Sequence, residues 1–184
     1  QAKRSGRSSY AVYTKEMDSA IEARRDLEAD LRAALTEGGQ LCLHYQPLYS
    51  AASSRINGVE ALVRWDHPTR GRVSPEIFVP LAEEMGLIHQ LGEWVLTEAC
   101  RATKNWPLET VAVNVSAMEL NRQGFAMRVA NIFMATGTNP RKIELEVTES
   151  TFTGQDGECQ RNIAALREMG VRFALDDFGT GFSS

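Results

Sequence analysis

Glu60, Asn114, Glu146 and Asp176 are the residues of this sequence whose types and spacing best suit chemistry. Each lies in a short apolar stretch with the two-residue alternation of a β-strand, and side chains of one strand face repeat at about 6.6 Å. In Ile56–Trp65, Glu60 shares a face with Leu62 and Arg64. In Thr110–Val115, Asn114 shares a face with Ala112. In Ile143–Thr148, Glu146 shares a face with Glu144 and Thr148, and in Val171–Asp176, Asp176 shares one with Arg172 and Ala174. If the four strands run parallel, the four polar residues converge near the C-terminal ends, where parallel barrels carry their sites. Three carboxylates and a carboxamide on one rim repel one another unless a cation joins them, and an all-oxygen set suits Mg²⁺ or Mn²⁺. A single strand Glu is ordinarily a solvated or salt-bridged side chain, and that is the expectation for Glu144 and for Arg172. The double acid Asp176-Asp177, followed by Phe178-Gly179-Thr180-Gly181, adds a turn whose backbone can approach a ligand closely.

The elements that must hold these residues alternate between strand and helix. A first strand is expected over Leu41–Gln46, closed by Pro47. Ser74-Pro75 opens a helix, with Ser as N-cap and Pro at the first helical position, interrupted at Pro80 and ending near Gly86. Further helices are expected over His89–Trp106, from Phe125 to a stop at Gly137, and over Cys159–Met169. Such alternation predicts βα units around a parallel sheet. Ahead of them, Thr14–Leu35 carries apolar residues at three- and four-residue steps with Glu and Arg opposite, and Gly38-Gly39 ends it. It reads as a linker helix that packs on a domain or pairs with a second copy.

Composition limits the partners. The 184 residues carry a net charge of −4, so no basic excess exists to neutralise a duplex nucleic-acid backbone. Cys42, Cys100 and Cys159 are isolated in sequence, which argues against a zinc ribbon and a redox dithiol and reads as three small buried apolar residues. His44, His67 and His89 lack metal-ligand spacing and read as structural or surface residues, and Trp65, Trp94 and Trp106 read as packing. Arg70-Gly71-Arg72 reads as a solvated turn. The chain has no run of about 18 apolar residues and no secretory leader, so the expectation is a cytoplasmic protein with no membrane segment in this chain.

The same residues resemble the EAL family. Glu60-Ala61-Leu62-Val63-Arg64-Trp65 is its naming motif, preceded by His44-Tyr45-Gln46-Pro47. It is followed by Asn114-Val115-Ser116, Glu146-Val147-Thr148-Glu149-Ser150 and Asp176-Asp177-Phe178-Gly179-Thr180-Gly181. The resemblance implies a (β/α)₈ TIM-type barrel, of which residues 39–184 hold about the first five strands. It implies a bacterial, cytoplasmic phosphodiesterase that hydrolyses cyclic-di-GMP to linear pGpG by in-line attack of a metal-activated water, using two Mg²⁺ or Mn²⁺ ions. On that pattern Glu60, Asn114, Glu146, Asp176 and Asp177 are metal ligands, with Asp177 also placing the attacking water. Gln46, Leu62 and Arg64 bind the ligand, Arg64 through a phosphate, and Glu149 holds the loop that starts at Asp177. Ala2-Lys3-Arg4-Ser5-Gly6-Arg7 with Ser9-Tyr10 is similar to the tail of a GGDEF domain. The implied layout is a GGDEF tail at 1–13, a linker helix at 14–38 and the EAL domain from 39, in a homodimeric parent. The family's later Lys and Glu are not reached by Ser184, so the fragment is expected to be inactive alone. A non-hydrolytic cyclic-di-GMP receptor or signalling module is the alternative.

Overall fold

The computed structural model describes residues 15–50, 55–148 and 157–176, with side chains from 21 to 175 within those spans. Six strands form one sheet: β1 (Leu41–Tyr49), β2 (Ile56–His67), β3 (Gly71–Val73), β4 (Thr110–Asn114), β5 (Ile143–Thr148) and β6 (Arg172–Asp176). The order is β1-β2-β4-β5-β6, with β3 paired to β2. Pairing is parallel from β2 through β6 and antiparallel for β1–β2 and β2–β3. The helices are α1 (Lys15–Glu37), α2 (Pro75–Glu84), α3 (Ile88–Thr103), α4 (Ala117–Leu120), α5 (Phe125–Thr136) and α6 (Gly157–Glu168), and a single 3₁₀ turn covers Pro140–Lys142. Parallel strands alternating with covering helices make this part of a (β/α)₈-type barrel.

The alternation read from the sequence sets the two faces. Val111, Val113, Ile143, Leu145 and Val147 are all at most 2 % exposed. They pack with Leu91, Val95, Val129, Phe133, Ile163 and Leu166 of the helices in one apolar core. Burying such a side chain contributes roughly 1.5–3 kcal/mol. Gly58 faces Thr110 across the β2–β4 pair, and a Cβ there would press on the Thr110 carbonyl at 2.8 Å. A side chain at 58 would therefore push apart the two strands that carry Glu60 and Asn114.

Four expectations are corrected. The first strand does not stop at Pro47 but runs to Tyr49 and is antiparallel to β2. A short connection lets it fold back as a hairpin, which a parallel partner cannot do without a long crossover. The second strand extends past Trp65 to His67, because it turns through residues 68–70 into β3. Of Arg70-Gly71-Arg72, Arg70 is thus in the turn, and Gly71 and Arg72 are in the strand. Pro80 does not interrupt α2. Its missing N–H forfeits one bond to the Glu76 carbonyl, but Phe78, Leu81 and Ala82 beside it are buried and hold the turn. Ser74 does precede the helix with Pro75 at its first position, although its side chain makes no capping bond. Finally, Cys100 and Cys159 are buried as expected, whereas Cys42 is only half-buried, with Sγ 3.7 Å from Asp66 Oδ2.

The second half of α1 belongs to the same core. Leu31 and Ala34 are buried among Trp65, Phe78 and Leu91. Asp30 accepts from Arg70 Nε at 3.0 Å and lies 3.1 Å from Nε2 of His67, and Arg24 pairs with Glu84 of α2. Nδ1 of His67 accepts from the Thr69 and Arg70 amides at 3.2 and 3.1 Å, so its proton resides on Nε2, toward Asp30. Trp65, fully buried, packs edge-to-face on Phe78 and His67. These are the packing and structural roles expected of Trp65 and His67.

Candidate active site

The even-numbered face of β1 and β2 continues across β4, β5 and β6. Gln46 is paired with Glu60, Glu60 with Ala112, and Asn114 with Glu146. Glu146 is paired with Ala174, and Thr148 with Asp176. Parallel pairing of β2 with β4 ends at Ala61, so Glu60 lies one residue before the end of the parallel part of β2, although the strand itself goes on. Asn114 is the last residue of β4, and its Nδ2 donates to Glu60 Oε1 at 2.9 Å. The Val115 amide extends the ladder by donating to the Glu146 carbonyl at 2.9 Å. The structure therefore brings together Glu60, Asn114 and Glu146, as the alternation predicted.

A cleft of about 510 Å³ opens beside Asn114 and Glu146. Its walls include Leu62, Arg64, Asn114, Glu146 and Thr148 from the strands, with Glu83 of α2, Ser116 and Glu119 of α4. Arg64 is half-buried and donates through Nη1 to the Val63 carbonyl at 2.8 Å. Gln46 is exposed on β1, across from Glu60. Asp176 ends β6 level with Thr148, and its side chain lies outside the described residues, as do Glu149 and Asp177 altogether.

Three of the expected metal ligands can be weighed. Glu60 and Glu146 supply carboxylate oxygens, and the Asn114 amide nitrogen, turned to Glu60, leaves its carbonyl oxygen as a donor. That all-oxygen set fits a hard divalent cation. Among the described residues no three of His, Cys, Asp and Glu form a metal-binding group. The remaining carboxylates of the expected set are those of Asp176 and Asp177.

Sequence reading gave no role to Glu83, Ser116 or Glu119. Ser116 caps α4: its Oγ accepts from the Met118 amide at 3.2 Å, and its own amide donates to Glu119 Oε2 at 3.0 Å. Its hydroxyl donates to Glu83 Oε1 of α2 at 2.6 Å. Ser-x-x-Glu is a helix-start signature and could have been found in the sequence. Its burial could not: Glu119 is only 4 % exposed. Burial first, then the carboxylates of Glu83 and Glu93, push the Glu119 carboxyl up to about 8, against the Ser116 amide bond and Arg128, which lower it.

Residues 28–184 match the EAL domain family. An uncharacterized signaling protein of Caulobacter vibrioides is 46% identical over the whole chain, which covers 23% of that relative. The bifunctional diguanylate cyclase/cyclic di-GMP phosphodiesterase MucR of Pseudomonas aeruginosa is 42% identical over the whole chain, covering 27% of its length. The chain thus spans about a quarter of the curated relatives it matches. A solved structure described as the MucR phosphodiesterase in complex with c-di-GMP superposes with a TM-score of 0.78 at 43% identity, over 86% of this chain and 66% of that one. The strand register, the Glu60–Asn114 contact and these likenesses agree: the chain belongs to the EAL domain family, the family of the cyclic-di-GMP phosphodiesterase it resembles.

Proposed function

We propose that this chain forms part of an enzyme that hydrolyses cyclic-di-GMP to linear pGpG. The observation that carries the reading is the Asn114–Glu60 contact, with Asn114 and Glu146 lining a cleft that Arg64 and Leu62 also line. The similarity to MucR, solved with c-di-GMP, supports the ligand.

Each residue then has a task. Arg64 offers a planar guanidinium to a phosphate, which a fork of donors grips better than a point charge does. Leu62 gives the ligand an apolar wall, and Gln46 offers a polar group from β1. Glu60, Asn114, Glu146, Asp176 and Asp177 would hold Mg²⁺ or Mn²⁺, two ions on the family pattern. Such ions supply charge stabilisation at phosphoryl oxygens and a water of lowered pKa. On the family pattern Asp177 would place that water, and Glu149 would hold the loop that begins at Asp177. Residues 1–13 as a GGDEF tail and α1 as a linker complete the layout of a homodimeric parent. Among the described residues no helix is long and apolar enough to cross a membrane.

The test pairs binding with turnover. Calorimetry with cyclic-di-GMP and Mn²⁺ is expected to show binding that Arg64→Ala weakens. Chromatography of pGpG is expected to show turnover by the longer protein and none above a Glu60→Ala control by these 184 residues alone. Binding without turnover by the longer protein would make it a receptor. No binding by either would overturn the proposal.

A further inference from the structure

A capping-box glutamate normally stands in water, reaching back to one amide. Glu119 is different. Its carboxyl lies against Gly92 of α3 so closely that a Cβ at 92 would overlap it, and it is nearly sealed from solvent. Sealing a carboxyl in this way is unfavourable unless the bonds it makes are kept. The bond it makes is to the amide of Ser116, two residues after Asn114. Ser116 is held a second time by the Glu83 carboxylate of α2. Val115, between them, is fixed to β5 through the Glu146 carbonyl. The turn that leaves β4 is therefore tied to α2, α3 and β5 within three residues of Asn114.

The other end of α4 is secured separately. Asn162 of α6, also buried, donates to the carbonyls of Leu120 and Arg122 at 2.8 and 3.0 Å and accepts from the Ala126 amide at 3.2 Å. The two anchors stabilise the same short helix, but only the Glu119 anchor adjoins the site.

We propose that Glu119 is a positioning residue of the active site: seated on Gly92 and bonded to the Ser116 amide, it fixes the turn after β4 and so keeps the Asn114 side chain on Glu60. The proposal rests on the phosphodiesterase reading where it concerns cyclic-di-GMP. The placement of Asn114 is a separate matter that needs no ligand.

The test uses the 184-residue chain with Glu119→Gln, Glu119→Ala and, as a control, Asn162→Ala. The Asn114 side-chain amide signal in ¹⁵N-correlated spectra reports its bond to Glu60, and calorimetry with cyclic-di-GMP and Mn²⁺ reports affinity. Glu119→Gln keeps an oxygen for the Ser116 amide and is expected to retain both. Glu119→Ala is expected to move the Asn114 signal toward that of a solvated amide and to weaken binding about tenfold, as loss of a supporting partner does. Asn162→Ala is expected to lower Tm while leaving the Asn114 signal and the affinity in place. A Glu119→Ala protein with the original Asn114 signal, or a Glu119→Gln protein as altered as Glu119→Ala, overturns the proposal. If the unaltered chain and the longer protein bind no cyclic-di-GMP, the phosphodiesterase reading fails, and the Asn114 signal still decides the role of Glu119.

Discussion

Two rows of polar residues cross the same face of the sheet and have different fates. In the lower row, Glu144 is paired directly with Arg172 in the β5–β6 register, with 3.7 Å between Nε and Oε2. Arg172 also donates to Thr110 Oγ1 at 2.5 Å and to the Glu109 carbonyl at 3.2 Å. In the upper row, Glu60, Asn114 and Glu146 gather, and the β6 residue paired with Glu146 is Ala174. Two residues along β5, the residue across the β5–β6 pair thus changes from Arg172 to Ala174. The charge of the lower glutamate is met by its cross-strand neighbour, whereas the proposed metal ligands lie in the upper row.

The sharpest way to break this comparison is to remove one acid from each row. Glu60→Ala in the longer protein is expected to lower the rate of cyclic-di-GMP hydrolysis by about a hundredfold or more, the scale of losing one group that holds charge at a reacting phosphate. Far-UV circular dichroism should remain unchanged. A rate within a few-fold of the original would remove the upper row from the chemistry.

A second test asks whether burial governs the wall behind the upper row. Glu119 has a folded-state pKa of about 8, above the usual carboxylate value, so its contribution to stability is fully present below about pH 4.5 and is lost as pH rises to about 8. Relative to Glu119→Gln, the unaltered chain is expected to lose on the order of a few kcal/mol across that window. Parallel urea titrations at pH 5, 7 and 9 would show it. Equal pH slopes in the two proteins would mean that Glu119 ionises without penalty.

Arg64→Ala is expected to weaken cyclic-di-GMP binding by roughly 1.5–3 kcal/mol, the value of hydrogen bonds to a charged group, and to leave Tm nearly unchanged. Arg64→Lys should recover only part of the affinity, since an ammonium cannot grip a phosphate with a planar fork. Full recovery in calorimetry would reduce Arg64 to a point charge.

The smallest effect belongs to the lower row. The Arg172 and Glu144 side chains are 46% and 25% exposed, so Glu144→Ala is expected to change stability by about 0–1 kcal/mol. Turnover should be unaffected. A large kinetic loss would mean that the two rows act together and that the contrast drawn between them is false.

The sequence by itself determined the strand faces. Alternation of Val111, Val113, Ile143, Leu145 and Val147 with Ala112, Asn114, Glu144 and Glu146 leaves one register in which the apolar side is covered, since a slip by one residue would turn every side chain over. The same alternation puts Glu60, Asn114 and Glu146 on one face, toward the C-terminal ends of their strands. Tertiary structure decided what periodicity does not encode. The reversal of β1, the β2–β3 hairpin and the passage of α2 through Pro80 depend on which surfaces each segment finds to cover. The ordinary Ser-x-x-Glu start of α4 gives no sign that its Glu119 is buried, because that burial comes from Gly92, a residue on another helix with no side chain to occupy the space. Local pattern fixes which way a side chain points, and only the assembled neighbours fix whether water reaches it.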